Sequence, residues 1–272
     1  MPERTRLAVW GDPIDHSRSP QLHTAAYRRL GLDWTYDRRR VGAAGFADAF
    51  AGLDATWRGL SLTMPLKEQA FRAATVRDRH AELTGAVNTL LLSDAVHGFN
   101  TDVGGLVDAF TEAGVTGIRH ARILGAGATA ASALVAAAEL GAERIEVRAR
   151  RPEAAMHLVA LGERVGVPTS VEAFTEPASV VDLTIATLPS GTALDESVAD
   201  ALAATGGALL DAAYAPWPSA LASRWTGPTI LSGLEMLLHQ AVRQIRIFRS
   251  GTQDTALPDE TAIIGVMREA LS

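Results

Sequence analysis

The chain has 272 residues, 47% of them hydrophobic, and a formal net charge of −6. This length suits two modest domains or one large α/β domain with a substantial core. The negative charge, with basic residues dispersed, argues against nucleic acid as the main partner, and the absence of cysteine excludes disulfides, thiol nucleophiles and thiolate metal sites. Met1 to Arg6 leads into only a short apolar run, with neither a secretory core nor a spanning segment, so a cytoplasmic protein with no membrane partner is expected.

Short apolar runs alternate with Ala/Leu-rich helical stretches, a pattern that predicts parallel α/β layers. Arg6 to Trp10 reads as the first strand and Pro20 to Leu30 as the helix after it, stopped by Gly31. Further strands are expected at Trp34 to Val41, Gly59 to Leu62 and Ala86 to Leu92, with the Arg38-Arg39-Arg40 run ending a strand on a solvated edge. A helix over Asp102 to Ala113 opens a second system, with strands at Ala121 to Leu124, Arg144 to Arg148, Val180 to Ala186 and Ala208 to Ala212. Helices at Ala130 to Leu140 and Pro152 to Val165 connect them, and helices at Leu234 to Arg249 and Asp259 to Leu271 close the chain. The expected domains are 1–102 with 234–272, and 103–233.

Gly125-Ala126-Gly127-Ala128-Thr129-Ala130 follows an apolar strand and opens a long helix, the context a dinucleotide-binding turn requires. Glycine permits the tight turn and close approach to a pyrophosphate, and the helix N-terminus supplies amide donors and a favourable dipole. The next strand ends in Arg148-Ala149-Arg150-Arg151, where NAD-binding proteins carry an acid for the ribose hydroxyl; Glu146 lies earlier, inside the strand. Guanidinium groups at Arg150 and Arg151 suit a 2′-phosphate, which predicts NADP over NAD; the competing reading is a pair of solvated charges.

Lys67 is the only lysine, against 24 arginines. A guanidinium stays protonated at any working pH, whereas an ammonium can give up its proton, so a lone lysine is a candidate acid–base group; the alternative is a solvated helix start after Pro65. Other polar groups gather at strand ends. They include Ser17 and Ser19 (the latter also a candidate helix cap before Pro20), Ser61 and Thr63, Asn88 within an apolar strand, and Asp102, which could equally cap a helix. Together they suit a small, densely hydroxylated ligand. The seven histidines form no ligand-spaced cluster, so no metal is expected.

The motifs Pro13-Ile-Asp-His16-Ser17-Arg18-Ser19-Pro20, Leu62-Thr63-Met64-Pro65-Leu66-Lys67, Gly85-Ala86-Val87-Asn88-Thr89, Asn100-Thr101-Asp102, Gly125-Ala126-Gly127, Asp211-Ala212-Ala213-Tyr214-Ala215-Pro216 and Gly233 to Gln240 run in this order over residues 8 to 250. On them the chain resembles the shikimate dehydrogenases. The resemblance implies an N-terminal α/β substrate domain, a Rossmann-type NADP domain and C-terminal helices that return to the first domain. It implies NADPH-dependent reduction of 3-dehydroshikimate to shikimate in aromatic amino-acid biosynthesis, by a monomer or homodimer. Ser17 and Ser19 would take the substrate carboxylate, Ser61, Thr63, Asn88, Tyr214 and Gln240 the rest of the substrate, and Lys67 with Asp102 the proton chemistry. Gly125 to Ala130, Arg150, Arg151, Thr187, Gly233 and Met236 would form the cofactor site. Three positions depart from the common pattern: Ser61 in place of asparagine, Ala128 in place of glycine, and Ala149-Arg150-Arg151 in place of Asn-Arg-Thr. Paralogues acting on quinate or an aminoshikimate share these motifs, and a non-catalytic protein binding NADP or shikimate is the alternative from another class.

Overall fold

The computed structural model describes residues 5–271. The first unit contains strands β1 (Arg6–Gly11), β2 (Thr35–Arg40), β3 (Trp57–Leu62), β4 (Val76–Arg77), β5 (Thr89–Leu92) and β6 (Val96–Phe99), and helices α1 (Ser19–Leu30), α2 (Phe46–Ala51), α3 (Lys67–Ala73) and α4 (Arg79–Thr84). Helix α5 (Thr101–Glu112) leads into β7 (His120–Leu124), α6 (Ala128–Glu139), β8 (Arg144–Ala149), α7 (Met156–Val165), β9 (Thr169–Ala173), β10 (Leu183–Ala186), α8 (Glu196–Thr205), β11 (Ala208–Asp211) and β12 (Ile230–Ser232). Helices α9 (Gly233–Ser250) and α10 (Glu260–Glu269) follow. By contact density the chain divides between Thr101 and Asp102, and again between Met236 and Leu237. Among the described residues, no helix is long and apolar enough to cross a membrane.

The first unit is built on a six-stranded sheet ordered β2-β1-β3-β5-β6-β4. It is mixed: β1 is parallel to β2 and β3, whereas β5 runs antiparallel to β3 and to β6. The expectation of purely parallel layers missed β6, because the β5–β6 connection is a three-residue reversal, Ser93 to Ala95, with no helix to announce it. Both sheet faces are covered. Leu7 and Val9 of β1 pack with Leu22, Tyr27, Leu238, Ile245, Phe248 and Met267, so the chain's last helices complete this core. Ala8 and Trp10, one residue out of phase, pack with Phe46, Leu60, Leu66 and Leu90 on the other face.

The second unit carries a parallel sheet ordered β12-β11-β10-β7-β8-β9, in which the order reverses beside β7. Helix α6, which follows β7, is buried over Ala130 to Ala137. One face of the sheet carries a buried ion triad: Glu146 Oε1 accepts from Arg122 Nε at 2.7 Å and from Arg148 Nε at 2.8 Å. Further guanidinium hydrogens reach the Glu172 carboxylate from Arg148 at 3.1 Å, Thr205 Oγ1 from Arg122 at 3.2 Å, and several carbonyls. Those of Arg148 reach Ala173, Glu176 and Pro177, and those of Arg122 reach Leu202 and Ser179, tying the segment after β9 to the sheet.

Four expectations about local structure need correction. The strand expected from Ala86 starts only at Thr89: Gly85, at φ 65°, caps α4, and the Val87 amide bonds Lys67 O instead of a strand neighbour, so Asn88 sits in the connecting turn. The strand expected from Val180 starts at Leu183, because the Asp182 carboxylate is held across the chain by the amides of Arg119 and His120. The helix expected from Pro152 opens with a 3-10 turn over Pro152–Ala155. Ser19 is the first residue of α1 and not its cap: Arg18 holds that position, and no side chain makes a capping bond there.

Candidate active site

Register brings the polar motifs of the first unit to one edge of its sheet. Since β5 is antiparallel to β3, the start of β5 lies beside the end of β3, with Ser61 opposite Thr89 and the Leu62 amide on Asn88 O at 2.8 Å. The end of β1 lies there too: the Asp12 amide bonds Met64 O and the Thr63 amide bonds Trp10 O, both at 3.0 Å. A Cβ at Gly11 would stand 2.4 Å from the Thr63 side chain, so only glycine lets the two strand ends approach this closely. The edge therefore gathers the Asp12–Ser19 loop, Thr63, Lys67 at the head of α3, Asn88 and Thr101.

Ser17 and Ser19 are both buried, and the Ser19 amide reaches Ser17 Oγ at 3.4 Å. Their loop is held from the arginine run of edge strand β2: Arg38 Nη1 donates to the carbonyls of Asp15 and Ser17, and Arg40 Nε bonds Asp12 Oδ1 at 2.7 Å. That run, expected to be only a solvated strand end, anchors the loop. Lys67 is half-buried, and its carbonyl bonds the Val87 amide, which places it beside Asn88 in the chain path. Asn88 is 2% exposed; its Oδ1 accepts from the Thr101 amide at 3.0 Å and from Thr89 Oγ1 at 2.9 Å, and its Nδ2 donates to Thr101 Oγ1 at 2.9 Å. Thr101 Oγ1 lies 3.4 Å from Gln240 Oε1, and Gln240 Nε2 bonds Leu237 O. Asp102, the next residue along, is buried in the first turn of α5.

Ser61 stands apart from this set. It is 3% exposed, accepts from the Tyr36 hydroxyl at 2.7 Å and donates to Gln244 Oε1 at 2.9 Å. Gln244 in turn bonds His23, whose other ring nitrogen meets the Tyr27 hydroxyl. Burial pulls the His23 pKa down to about 3 against the opposing bond to Gln244, and burial pushes the Tyr36 hydroxyl up, only partly opposed by its bond to Ser61. Sequence reasoning did not find Tyr36, His23 or Gln244. The available signal was the Tyr36 position: it is the one buried residue of β2, whose five other residues are exposed.

In the second unit the glycine turn joins β7 to α6. Gly125 adopts φ +120°, and a Cβ there would lie 2.5 Å from Thr187 Oγ1. Thr187 is thus a wall of the turn; its hydroxyl donates to Leu124 O at 2.9 Å. Gly127 is the N-cap of α6, is exposed, and has open space where a Cβ would stand; no side chain caps the helix and its first turn carries no acid. Ala128, Thr129 and Ala130 form that first turn. A glycine turn into a helix start with no side-chain cap is the arrangement that a phosphate-binding turn needs; Ala126 lies in the turn between Gly125 and Gly127. Glu146 takes no part in it: it is 2% exposed and held by Arg122 and Arg148. Arg150 and Arg151, which follow β8, are exposed, as is Glu153. In the same unit Gly233 packs on the backbone of Ala212, and a Cβ would meet Ala212 O at 2.1 Å. Met236 is buried, Tyr214 half-buried, and the loop bearing Tyr214 is held by Asp211, which accepts from the Ala213 amide and Ser219 Oγ.

The comparisons bear on both units. The model of the shikimate dehydrogenase substrate binding domain matches residues 9–90. A Bordetella avium protein described as shikimate dehydrogenase (NADP(+)) is 35% identical over 283 residues, covering 99% of this chain and 97% of its own. The crystal structure of Mycobacterium tuberculosis shikimate dehydrogenase superposes with a TM-score of 0.86 at 40% identity, covering 98% of each chain. A Thermus thermophilus shikimate 5-dehydrogenase, solved in complex with NADP(H) and shikimate, gives a TM-score of 0.81 at 28% identity over 98% of this chain and 99% of its own. Identity at this level, sustained along nearly the whole of both chains, shows that the chain belongs to the shikimate dehydrogenase family.

Proposed function

We propose that this chain reduces 3-dehydroshikimate to shikimate with NADPH, in the pathway to the aromatic amino acids. The observation that carries the reading is the full-length likeness to an NADP-dependent shikimate dehydrogenase, combined with a lone lysine at the polar sheet edge. Ser17 and Ser19 are the proposed seat of the substrate carboxylate, and Thr63, Asn88, Tyr214 and Gln240 the ligands of the ring. A polyhydroxylated ring needs many directional bonds, and hydroxyl and carboxamide groups on rigid strand ends provide them.

For the cofactor, the residues fit. The glycine turn and the uncapped helix start suit a pyrophosphate, and with Glu146 held by Arg122 and Arg148 the first charged side chains after β8 are Arg150 and Arg151, which favours a 2′-phosphate. Bound there, NADPH supplies the hydride. Lys67 as an ammonium stabilises the negative charge growing on the ketone oxygen and delivers the proton that completes the alcohol. Asp102 is the second member of the proposed acid–base pair. In the oxidative direction Lys67 must first be neutral, so shikimate oxidation is favoured by alkaline pH. Loss of NADPH absorbance on adding 3-dehydroshikimate tests the reading. Turnover with NADP and shikimate but not with quinate is expected in reverse; preference for quinate, or equal kcat/KM with NAD and NADP, refutes the substrate or the cofactor assignment respectively.

A further inference from the structure

Asn100 opens the Asn100-Thr101-Asp102 motif, yet with no exposed surface it offers nothing to a ligand. Both its donors go instead to the short helix α4. Its amide bonds Asp78 Oδ1 at 3.2 Å, and its Nδ2 donates to Thr84 Oγ1 at 2.9 Å. Asp78 is the N-cap of α4, its Oδ1 also taking the Ala81 amide at 2.7 Å, and Thr84 is the helix's last residue. The orientation of the carboxamide is fixed by Thr84. Its oxygen lies 2.7 Å from the His80 carbonyl, which has no hydrogen to give, so the hydroxyl hydrogen lies between them and only lone pairs face Asn100. The Asp78 carboxylate is fixed as well, because Gln253 Nε2 donates to its other oxygen at 2.8 Å.

The same helix leads, through Gly85, into the segment that carries Asn88. Asn88 is then joined to the strand end beside Asn100: its amide bonds Phe99 O at 3.0 Å, and its side chain exchanges bonds with the amide and hydroxyl of Thr101. Asn88 and Thr101 therefore hold each other, and α4 is the rigid body against which both are set. A single bond to that body would leave the turn free to pivot; two bonds from one residue, to its two ends, do not. We propose that Asn100 is a positioning residue for Asn88 and Asp102: tied to both ends of α4, it fixes the turn from which Thr101 grips Asn88 and Asp102 enters α5. The inference rests on the reading of Asn88 as a ligand of the substrate ring and of Asp102 as a member of the acid–base pair. It gives the first residue of the motif a task that needs no contact with the substrate, and it makes Thr84, outside every motif core, a determinant of substrate affinity.

Steady-state kinetics on the full chain tests it, with Thr84→Val, Thr84→Ser, Asn100→Ala and the double variant of Asn100→Ala with Thr84→Val. Thr84→Val keeps the side-chain shape and leaves the buried Asn100 NH2 without its acceptor, so KM for 3-dehydroshikimate should rise about 5- to 10-fold. Asp102 shifts with the turn, and kcat should fall about two- to fivefold. KM for NADPH should stay within about twofold, because its proposed seat belongs to the other unit. Thr84→Ser restores the hydroxyl without the methyl, and KM should return to within about twofold of wild type. A KM raised alike by valine and serine makes packing the cause, and a KM unmoved by valine shows that the bond positions nothing; either result overturns the proposal. Asn100→Ala should raise KM at least as much as Thr84→Val, and on that background Thr84→Val should add less than about twofold; effects that multiply overturn the proposal. If Asn100→Ala does not fold, the valine and serine variants decide alone. Partial unfolding lowers the active fraction, and with it kcat, but not KM, which separates positioning from loss of fold. Wild-type turnover is the separate check on function: its absence overturns the functional reading and this inference with it, whereas turnover without the valine–serine difference overturns the inference alone.

Discussion

His23 makes the fold sensitive to mild acid in a way that can be worked out from its surroundings. Its ring is stacked on Tyr36 at 3.8 Å, lies edge-on to Tyr27 and has no exposed surface. Burial disfavours the imidazolium and the bond to Gln244 only partly opposes this, which holds the folded-state pKa at about 3 against 6.5 in the unfolded chain. Because the unfolded state binds the proton more readily, stability rises with pH between these values. The contribution is complete above pH 6.5, falls as the pH drops below it and levels off near pH 3. One proton at about 1.36 kcal/mol per pH unit gives a loss of about 2 kcal/mol on going from pH 7 to pH 5. Urea unfolding at pH 7, 6 and 5 should therefore show a steeper pH slope for wild type than for His23→Leu, by close to one proton. The variant is itself less stable at pH 7 by about 1–3 kcal/mol, since the Tyr27 hydroxyl loses its acceptor, but the slope is independent of that offset. Equal slopes for the two proteins, or a His23 ring resonance titrating near 6.5 in the folded protein, would refute the reasoning.

Three further outcomes follow from the same structure. Lys67→Arg keeps a positive charge and removes the transferable proton, so kcat should fall by about 10²- to 10⁴-fold with KM little changed; near-normal kcat would take Lys67 out of the chemistry. Glu146→Gln leaves buried Arg122 without its counter-charge and Arg148 with only the half-buried Glu172, and should cost about 3–5 kcal/mol at pH 7 by urea unfolding. Burial raises the Glu146 pKa, but Arg148 and Arg122 outweigh it and hold it at about 2. Wild type should thus keep this contribution above the usual carboxylate range near 4.5 and lose it only as the pH falls toward 2, an acid limb missing from the variant. Gly125→Ala places a Cβ 2.5 Å from Thr187 Oγ1 at a φ of +120°; it should lower the melting temperature and raise KM for NADPH while leaving KM for 3-dehydroshikimate unchanged.

What could be read from the chain is what short stretches of backbone decide for themselves. A strand, two glycines and a helix within a dozen residues mark Gly125 to Ala130 as a candidate phosphate-binding turn, and a lysine among arginines is a candidate proton carrier whatever surrounds it. Strand β1 was legible because both its faces are buried and its apolar run is continuous, and β8 because Ile145 and Val147 alternate with charged residues. The hairpin β5–β6 and the two-residue β4 were not, since their pairing depends on neighbours and not on composition. Side-chain partners were hidden for the same reason. Glu146 and Ser61 look like candidates for ligands in the sequence, and each is held by a partner brought from elsewhere: Arg122 lies 24 positions from Glu146, and Gln244 lies 183 from Ser61. A buried polar atom must be paired, and folding alone settles which partner arrives. The sequence by itself determined which residues could bind phosphate, carry a proton or meet a carboxylate. Tertiary structure decided which of them keep a hydrogen to offer, because a hydroxyl has only one, and that of Ser61 is held by Gln244, 183 positions away.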